Sequence, residues 1–455
     1  MWEWLASSPD RSRCVLSDGA ASVRLADILR GASIGDRLPE FSGRTVLLAM
    51  GNQLAAALTL IELDGVARRL IICPPDLSAA HLPSMIARAG VDAIVSDCDL
   101  PEHSCLGVRV RVICGRLSTR GKIVRPTPYQ TEWVLLTSGT TGAPKMIGHS
   151  LASLTAAITS HQHQAPDVVW ATFYDIRRYG GLQIFLRAVL ACRSLVLSSA
   201  DESPREFLLR LSAHRATHIS GTPSHWRRAL MSPSARAITP RYVRLSGEIA
   251  DQAILNALRS VYPRAVVSHA FASTEAGVGF EVDDGLEGFP ASLVGGCGHT
   301  DLKIEDGSLW IRSAGTAVGY VGEARREIAD DDGFVDTGDM VEKRGDRYYF
   351  LGRRSGVINI GGLKVYPEEV EAAINHHPAV QMSIVRPRQS PIIGSLVAAD
   401  VVLTEGPPQG AQTADFKREI LQICHERLAA YKIPATIRFV PAIDVAPAGK
   451  VARHA

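Results

Sequence analysis

The 455-residue chain holds eight cysteines but no C-x-x-C pair, and no Cys/His spacing of the kind that holds a metal. Neither a disulfide framework nor a structural zinc site can be read from it, so reduced, mostly buried thiols of a cytoplasmic protein are expected. An excess of one charge is missing too. The 49 basic and 47 acidic residues leave a net charge of +2, which favours neither nucleic acid nor a membrane surface as partner. No apolar run approaches the ~18 residues of a membrane span. Met1-Trp2-Glu3-Trp4 lacks the basic start and apolar core of a secretion signal. His161-x-His163 and His376-His377 have no partner cluster that would make them metal ligands. Internal repeats and low-complexity segments are absent as well.

What remains is a globular composition, 46% hydrophobic and 21% charged, with length for one large domain and a small one. Short apolar runs such as Thr45 to Met50, Ala93 to Asp97 and Leu195 to Leu197 read as buried strands. Helical stretches such as Asn52 to Leu63 alternate with them. This rhythm predicts an α/β fold: a large N-terminal domain of mostly parallel sheets flanked by helices. From Asp301 to Tyr349 the texture turns Gly/Asp-rich and alternating, as in a small antiparallel β subdomain. A polar cluster, Gly352 to Gly356, then marks a boundary, giving domains over 1–354 and 355–455. The second is a small, mobile α+β unit. In it Pro367 opens a helix whose inward face is Val370, Ala373 and Ile374, and Asp415 to Ala430 forms another.

One loop concentrates chemistry. Thr137-Ser138-Gly139-Thr140-Thr141-Gly142-Ala143-Pro144-Lys145 has four hydroxyls, two glycines and a lysine directly after an apolar strand. Glycines let the backbone approach a polyanion, hydroxyls and N–H groups donate to it, and the lysine adds a point charge. It is not a Walker A loop, because Ala143-Pro144 separates the second glycine from Lys145 and Met146 follows.

Five further segments follow in order: Ser246-Gly247-Glu248, Phe271-Ala272-Ser273-Thr274-Glu275, Asp336-Thr337-Gly338-Asp339, Gly352-Arg353 through Glu371, and Pro447-Ala448-Gly449-Lys450-Val451-Ala452-Arg453. Together with the loop they resemble the motifs of the adenylate-forming superfamily, which includes acyl-CoA synthetases, nonribosomal-peptide adenylation domains and luciferases. The likeness covers roughly residues 40 to 455 and is nearest to acyl- and aryl-CoA ligases. Ala272 stands where the family has glycine, and Ser355 where the hinge more often has Asp or Lys.

The resemblance implies ATP-dependent activation of a carboxylic acid as acyl-adenylate, release of pyrophosphate, and transfer to a thiol. Thr137, Ser138, Gly139, Thr140, Thr141, Gly142 and Lys145 would hold the β- and γ-phosphates. Gly247, Glu248 and Phe271 would lie along adenine, and Asp339 and Arg353 at ribose and phosphate. Glu275 would be the Mg²⁺ ligand, with Thr274 beside the α-phosphate; a helix N-cap with an acidic first turn is the other reading of this pair. Lys450 would bridge carboxylate and α-phosphate. After a swing about Ser355, Gly361 and Gly362 would flank the pantetheine of CoA.

The acyl pocket is expected at Tyr174, Arg177, Tyr179, Gly180, Gly181 and Ser246. Charge in the Tyr174–Gly181 stretch admits two readings: Asp175 or an arginine recognising a polar group on the acid, or arginines at the nucleotide entrance. The chain ends just after Arg453, so a diffusing thiol is expected, CoA by default. Other readings are a stand-alone adenylation enzyme loading a carrier protein in trans, and a catalytically weak adenylate-binding homologue. A homodimer is compatible with each.

Overall fold

The computed structural model describes residues 1–455 apart from 106, 116–117, 120–124, 126–127, 138–143, 159–166, 200–201, 297–299, 323–326, 361, 391–393, 409, 411, 446–449 and 451–455. Two large sheets carry the N-terminal part. The seven-stranded one runs in the order Gly319–Tyr320, Lys145–Ser150, Glu132–Thr137, Arg69–Ile72, Thr45–Ala49, Ala93–Ser96, Val110–Ile113. From Glu132–Thr137 onward its strands are parallel. Val46, Leu47, Leu70, Ile71, Ala93 and Ile94 are all buried, because helices and a second sheet cover both faces. Asn52 starts the intervening helix Gln53–Leu63 by accepting from the Ala55 N–H at 2.8 Å.

The eight-stranded sheet sets Tyr242–Ser246 between the parallel strands His218–Gly221 and Val266–Ser273. Gly277–Val282 closes that edge antiparallel, with a bulge at Phe271/Ala272. A five-stranded antiparallel sheet follows, built chiefly from Thr300–Glu305, Ser308–Ser313, Val335–Arg344 and Arg347–Arg353. Its core packs Phe280, Phe289, Leu309 and Ile311.

The last core gathers Ile358, Val370, Ile374, Val401, Ile420 and Ile437, and among the described residues it takes nothing from before residue 358. Helix Pro367–Ile374 has Pro367 in its first turn, Glu368 and Glu369 at its positive end, and Val370, Ala373 and Ile374 buried. The later helix spans Gln412–Arg427, shifted from the expected Asp415 to Ala430, since Ala430–Lys432 is a separate 3₁₀ turn.

One buried ion pair joins the two parts. Asp251 caps helix Gln252–Val261, takes Arg227 Nη2 on both carboxylate oxygens at 2.7 and 2.5 Å, and accepts from Asn375 Nδ2 at 3.0 Å. Arg227 Nη1 also donates to the Gln381 carbonyl at 3.1 Å. Among the described residues no disulfide is formed, and of the free cysteines only Cys98 is exposed.

Candidate active site

Ser246 and Ser273 end their strands, and Asp336 to Asp339 lie in the first half of strand Val335–Arg344. Thr137 and Lys145 face each other across an antiparallel pair, at the near ends of the strands on either side of the expected phosphate loop. The Lys145 ammonium lies 5.9 Å from the centre of the Tyr320 ring. Ser138, Gly139, Thr140, Thr141 and Gly142 lie outside the described residues.

Thr274 and Glu275 occupy the turn between Val266–Ser273 and Gly277–Val282. The helix-cap reading of this pair falls, because an antiparallel hairpin rather than a helix follows it. The turn is pinned from both sides: His149 Nε2 donates to the Thr274 carbonyl at 2.8 Å, and the Ala317 N–H to the Glu275 carbonyl at 2.9 Å. Both bonds use main-chain oxygen and leave the Glu275 carboxylate outside the turn's own network. A lone carboxylate suits Mg²⁺, which keeps several waters, and among the described residues no cluster of three or more His, Cys, Asp or Glu offers a fuller cage.

Phe271 stacks on Phe350 (5.5 Å between centroids, 8° between planes) and on Phe280 (5.9 Å, 21°), tying the strand to the β-rich part. Gly247 turns the chain with φ +85°, a left-handed conformation that glycine adopts without strain. Glu248 accepts from the Ser224 N–H at 2.9 Å, at the positive start of helix Pro223–Met231.

Asp339 and Arg353 are cross-strand partners, joined from Nε to Oδ1 at 3.3 Å. Asp339 Oδ2 is buried and has no hydrogen-bond partner among the described residues. An acceptor left open in that way suits a sugar hydroxyl. Burial raises the Asp339 pKa, while the charges of Arg353 and Lys450 oppose the rise.

Lys450 reaches this cluster from the C-terminal part. Its Cε lies 3.6 Å from where a side chain on Gly247 would begin. The residue is exposed, yet the protein around the ammonium lowers its pKa. Lost hydration is the main cause; Arg353 adds repulsion, and Glu248 and Asp339 counteract it. Gly362 sits in an exposed turn at φ +89°, and Gly361 lies outside the described residues. The flanking Asn359 and Lys364 line a cavity of about 470 Å³ with Glu305, Asp306, Asp336 and Arg354.

In the expected acyl region the Tyr174 hydroxyl donates to the Ser246 carbonyl at 2.7 Å. Tyr179, Gly180 and Gly181 open helix Tyr179–Leu190. A Cβ on Gly181 would run into the Asp175 carbonyl, so only glycine fits there. Arg177 does not serve the pocket. Its Nε and Nη2 close on the Asp175 carboxylate at 2.8 and 2.6 Å, its Nη1 donates to the Met50 carbonyl, and the residue is 2% exposed. Asp175 is consumed by the same pair, and Arg178 is paired with Asp76.

Sequence reasoning missed His149, since a lone histidine in an apolar strand carries no motif. Burial pushes its pKa down to about 4, and burial with Arg228 pushes His225 down to about 3. Both are neutral when folded, whereas unfolded histidine takes up a proton near pH 6.5. Acid therefore favours the unfolded chain: stability is expected to fall from about pH 6.5 towards 4, by about 3 kcal/mol for His149 alone. Thermal melts at pH 7 and 4.5 check this. The slope should flatten in His149→Phe, and an unchanged slope would contradict the assignment.

Comparison with known proteins agrees with this layout. Residues 34–321 match the model for AMP-binding enzyme, and residues 369–450 that for AMP-binding enzyme C-terminal domain. The chain belongs to the AMP-binding enzyme family. Among its relatives, the 2-succinylbenzoate–CoA ligase of Salmonella typhimurium is 29% identical over 383 residues, covering 82% of this chain and 79% of the ligase. A dimodular nonribosomal peptide synthase of Bacillus subtilis is 27% identical over 370 residues, covering 72% of this chain but only 15% of the synthase. The fold matches o-succinylbenzoate CoA synthetase of Bacillus subtilis bound to its acyl-adenylate (TM-score 0.75, 19% identity, 100% and 97% of the two chains). It also matches ATP-bound MatB of Rhodopseudomonas palustris (TM-score 0.78, 20% identity, 99% and 96%). Among the described residues, no helix of this AMP-binding enzyme is long and apolar enough to cross a membrane.

Proposed function

We propose that this AMP-binding enzyme activates a carboxylic acid with ATP, forming an acyl-adenylate and pyrophosphate, and passes the acyl group to the thiol of CoA. The observation that carries the reading is the meeting of Lys450 with Gly247, Glu248, Asp339 and Arg353 across the domain boundary. A cationic group that reaches a glycine turn and an open aspartate from a separate domain is suited to a reaction between two anions. The acid carboxylate attacks the α-phosphate, the bond to the β-phosphate breaks, and pyrophosphate leaves towards Thr137 and Lys145.

Lys450 offsets the negative charge that builds between carboxylate and α-phosphate. Asp339 Oδ2 accepts from a ribose hydroxyl, and Arg353 stays paired beside it. The Thr274–Glu275 turn, fixed by His149, carries the carboxylate that would hold Mg²⁺, and the ion would supply charge to screen the phosphates. The chain divides into 1–354 and 355–455, and rotation about Ser355 withdraws Lys450 and brings the Gly361–Gly362 turn to the thiol. CoA ligases among the relatives support CoA as acceptor. The peptide synthase relative supports the second reading, a carrier-bound thiol.

The test is ATP–pyrophosphate exchange over aryl, fatty, dicarboxylic and amino acids, followed by thioester analysis with CoA and with a holo carrier protein. Exchange with at least one acid and a CoA thioester are expected. Thioester on the carrier alone would replace CoA as acceptor, and no exchange with any acid would overturn the reading.

A further inference from the structure

The C-terminal part meets one short stretch of the N-terminal part at two points. Lys450 reaches Gly247, while Asn375 and the Gln381 carbonyl reach Asp251 and Arg227. Gly247 and Asp251 belong to the same short connection, which joins strand Tyr242–Ser246 to helix Gln252–Val261. Helix Pro223–Met231 braces that connection along its length. Its Ser224 N–H donates to Glu248, and Arg227, about one turn further on, closes on Asp251. The seat of Lys450 and the partner of Asn375 thus form one block, and a movement of the C-terminal part at either point is felt at the other.

The Asn375 contact is deeply set and yet easily parted. Asn375 is 7% exposed and Asp251 5%, so the bond between them is shielded from water. When the two parts separate, Asp251 keeps Arg227 on both oxygens and the Ile254 N–H at 3.0 Å. Asn375 keeps the Ser383 hydroxyl, which donates to its Oδ1 at 2.8 Å, and its amide hydrogens turn to water. Arg227 gives up only the Gln381 carbonyl. The costly event, a buried charge left without its counter-ion, does not occur on either side. A charged partner at 375 would grip harder and cost more to release; the neutral amide sets a moderate hold.

We infer that Asn375 is a positioning residue for adenylation: its amide, donating to Asp251, holds the C-terminal part in the orientation that seats Lys450 and lets go when the thiol is served. This rests on the proposed adenylation and the rotation it entails. A hydrogen bond to a charged group biases such an equilibrium by about 10- to 100-fold. That favours the seated lysine without locking it in place.

The test follows the two half-reactions separately. Asn375→Ala should slow acyl-adenylate formation about tenfold through kcat with little change in KM, because most residues expected to bind ATP and the acid lie in the N-terminal part. Thioester formation from supplied acyl-adenylate should be kept or quickened. Ser383 is not stranded by this change, since its hydroxyl also reaches the Glu371 carbonyl. In a Lys450→Ala background Asn375→Ala should cost adenylation nothing further, as the orientation it sets no longer delivers a cation. The paired exchange Asp251→Asn with Asn375→Asp should act the other way. It keeps a capping side chain at 251 but moves the counter-ion of Arg227 to the C-terminal part, so parting now strands a charge. Adenylation should then hold while thioester formation slows about tenfold. Hydrogen exchange without substrates gives a readout apart from activity: in Asn375→Ala the backbone at Gly247 and Glu248, which Asn375 does not touch, should exchange faster, and strand Thr45–Ala49 should not.

If the unaltered enzyme supports pyrophosphate exchange, unchanged rates in Asn375→Ala, equal losses in both half-reactions, or a loss that adds to that of Lys450→Ala would overturn the inference and leave adenylation standing. If it supports exchange with no acid, adenylation falls. Faster hydrogen exchange at Gly247 and Glu248 in Asn375→Ala would then still uphold Asn375 as the holding contact, and unchanged hydrogen exchange would overturn both.

Discussion

Lys450→Ala is expected to lower acyl-adenylate formation by about 10²–10³-fold, the usual loss when a single charge-stabilising group is removed from a preorganised site. Lys450 lies beside Gly247, where burial chiefly and then Arg353 lower its pKa and the acidic Glu248 and Asp339 oppose the shift. Such a group interacts strongly with new negative charge, and alanine has nothing to offer in its place. Thioester formation from supplied acyl-adenylate should be largely spared, because in the proposed scheme the lysine has left by then. Comparing pyrophosphate exchange with thioester yield from synthetic acyl-adenylate separates the half-reactions. Equal losses in both would contradict the two-orientation scheme.

Asp251→Ala should carry the largest cost in stability, about 3–5 kcal/mol, as expected when a buried ion pair loses one partner. The side chain caps helix Gln252–Val261, neutralises Arg227 and receives Asn375 from the C-terminal part. Its removal leaves Arg227 largely buried and uncompensated and also cuts the tie between the two parts. Asn375→Ala removes only the cross-boundary arm. It should unfold at a higher urea midpoint than Asp251→Ala, yet expose the residues after 355 to proteolysis sooner than the unaltered protein. If Asn375→Ala is indistinguishable from the unaltered chain in proteolysis, the contact is incidental to domain placement.

Much of the fold was legible because local rules and tertiary packing agree. Val46, Ile71 and Ile94 sit in continuous apolar runs as buried parallel strands require, and Pro367 with Glu368 and Glu369 announces a helix start. Motif order nominated Asp339 and Lys450, whose charges act on one another in the folded chain. What escaped depends on contacts distant in sequence. Arg244 meets Glu281 through two successive strand pairings, and Asp251 meets Asn375 across the domain boundary. The charged stretch after Tyr174 reads either as recognising a polar group on the acid or as lining the nucleotide entrance; Asp175 instead folds onto Arg177 two residues away, and the pair becomes internal support. The hairpin after Glu275 replaced the helix-cap alternative because Gly277–Val282 pairs back onto the preceding strand.

Asp339 and Arg353 are opposite one another on a single hairpin, and the 3₁₀ turn Arg354–Gly356 follows at once. The chain therefore offers a seam for building chimeras. A junction after Gly356 would leave that ladder on one side and the whole core from Ile358 to Ile437 on the other. A donor tail would have to bring its own counterpart of Lys450 and an amide opposite Asp251. A junction one strand earlier would divide the Asp339–Arg353 pair between parents, making the fit of the two halves a question of nucleotide chemistry as well as packing.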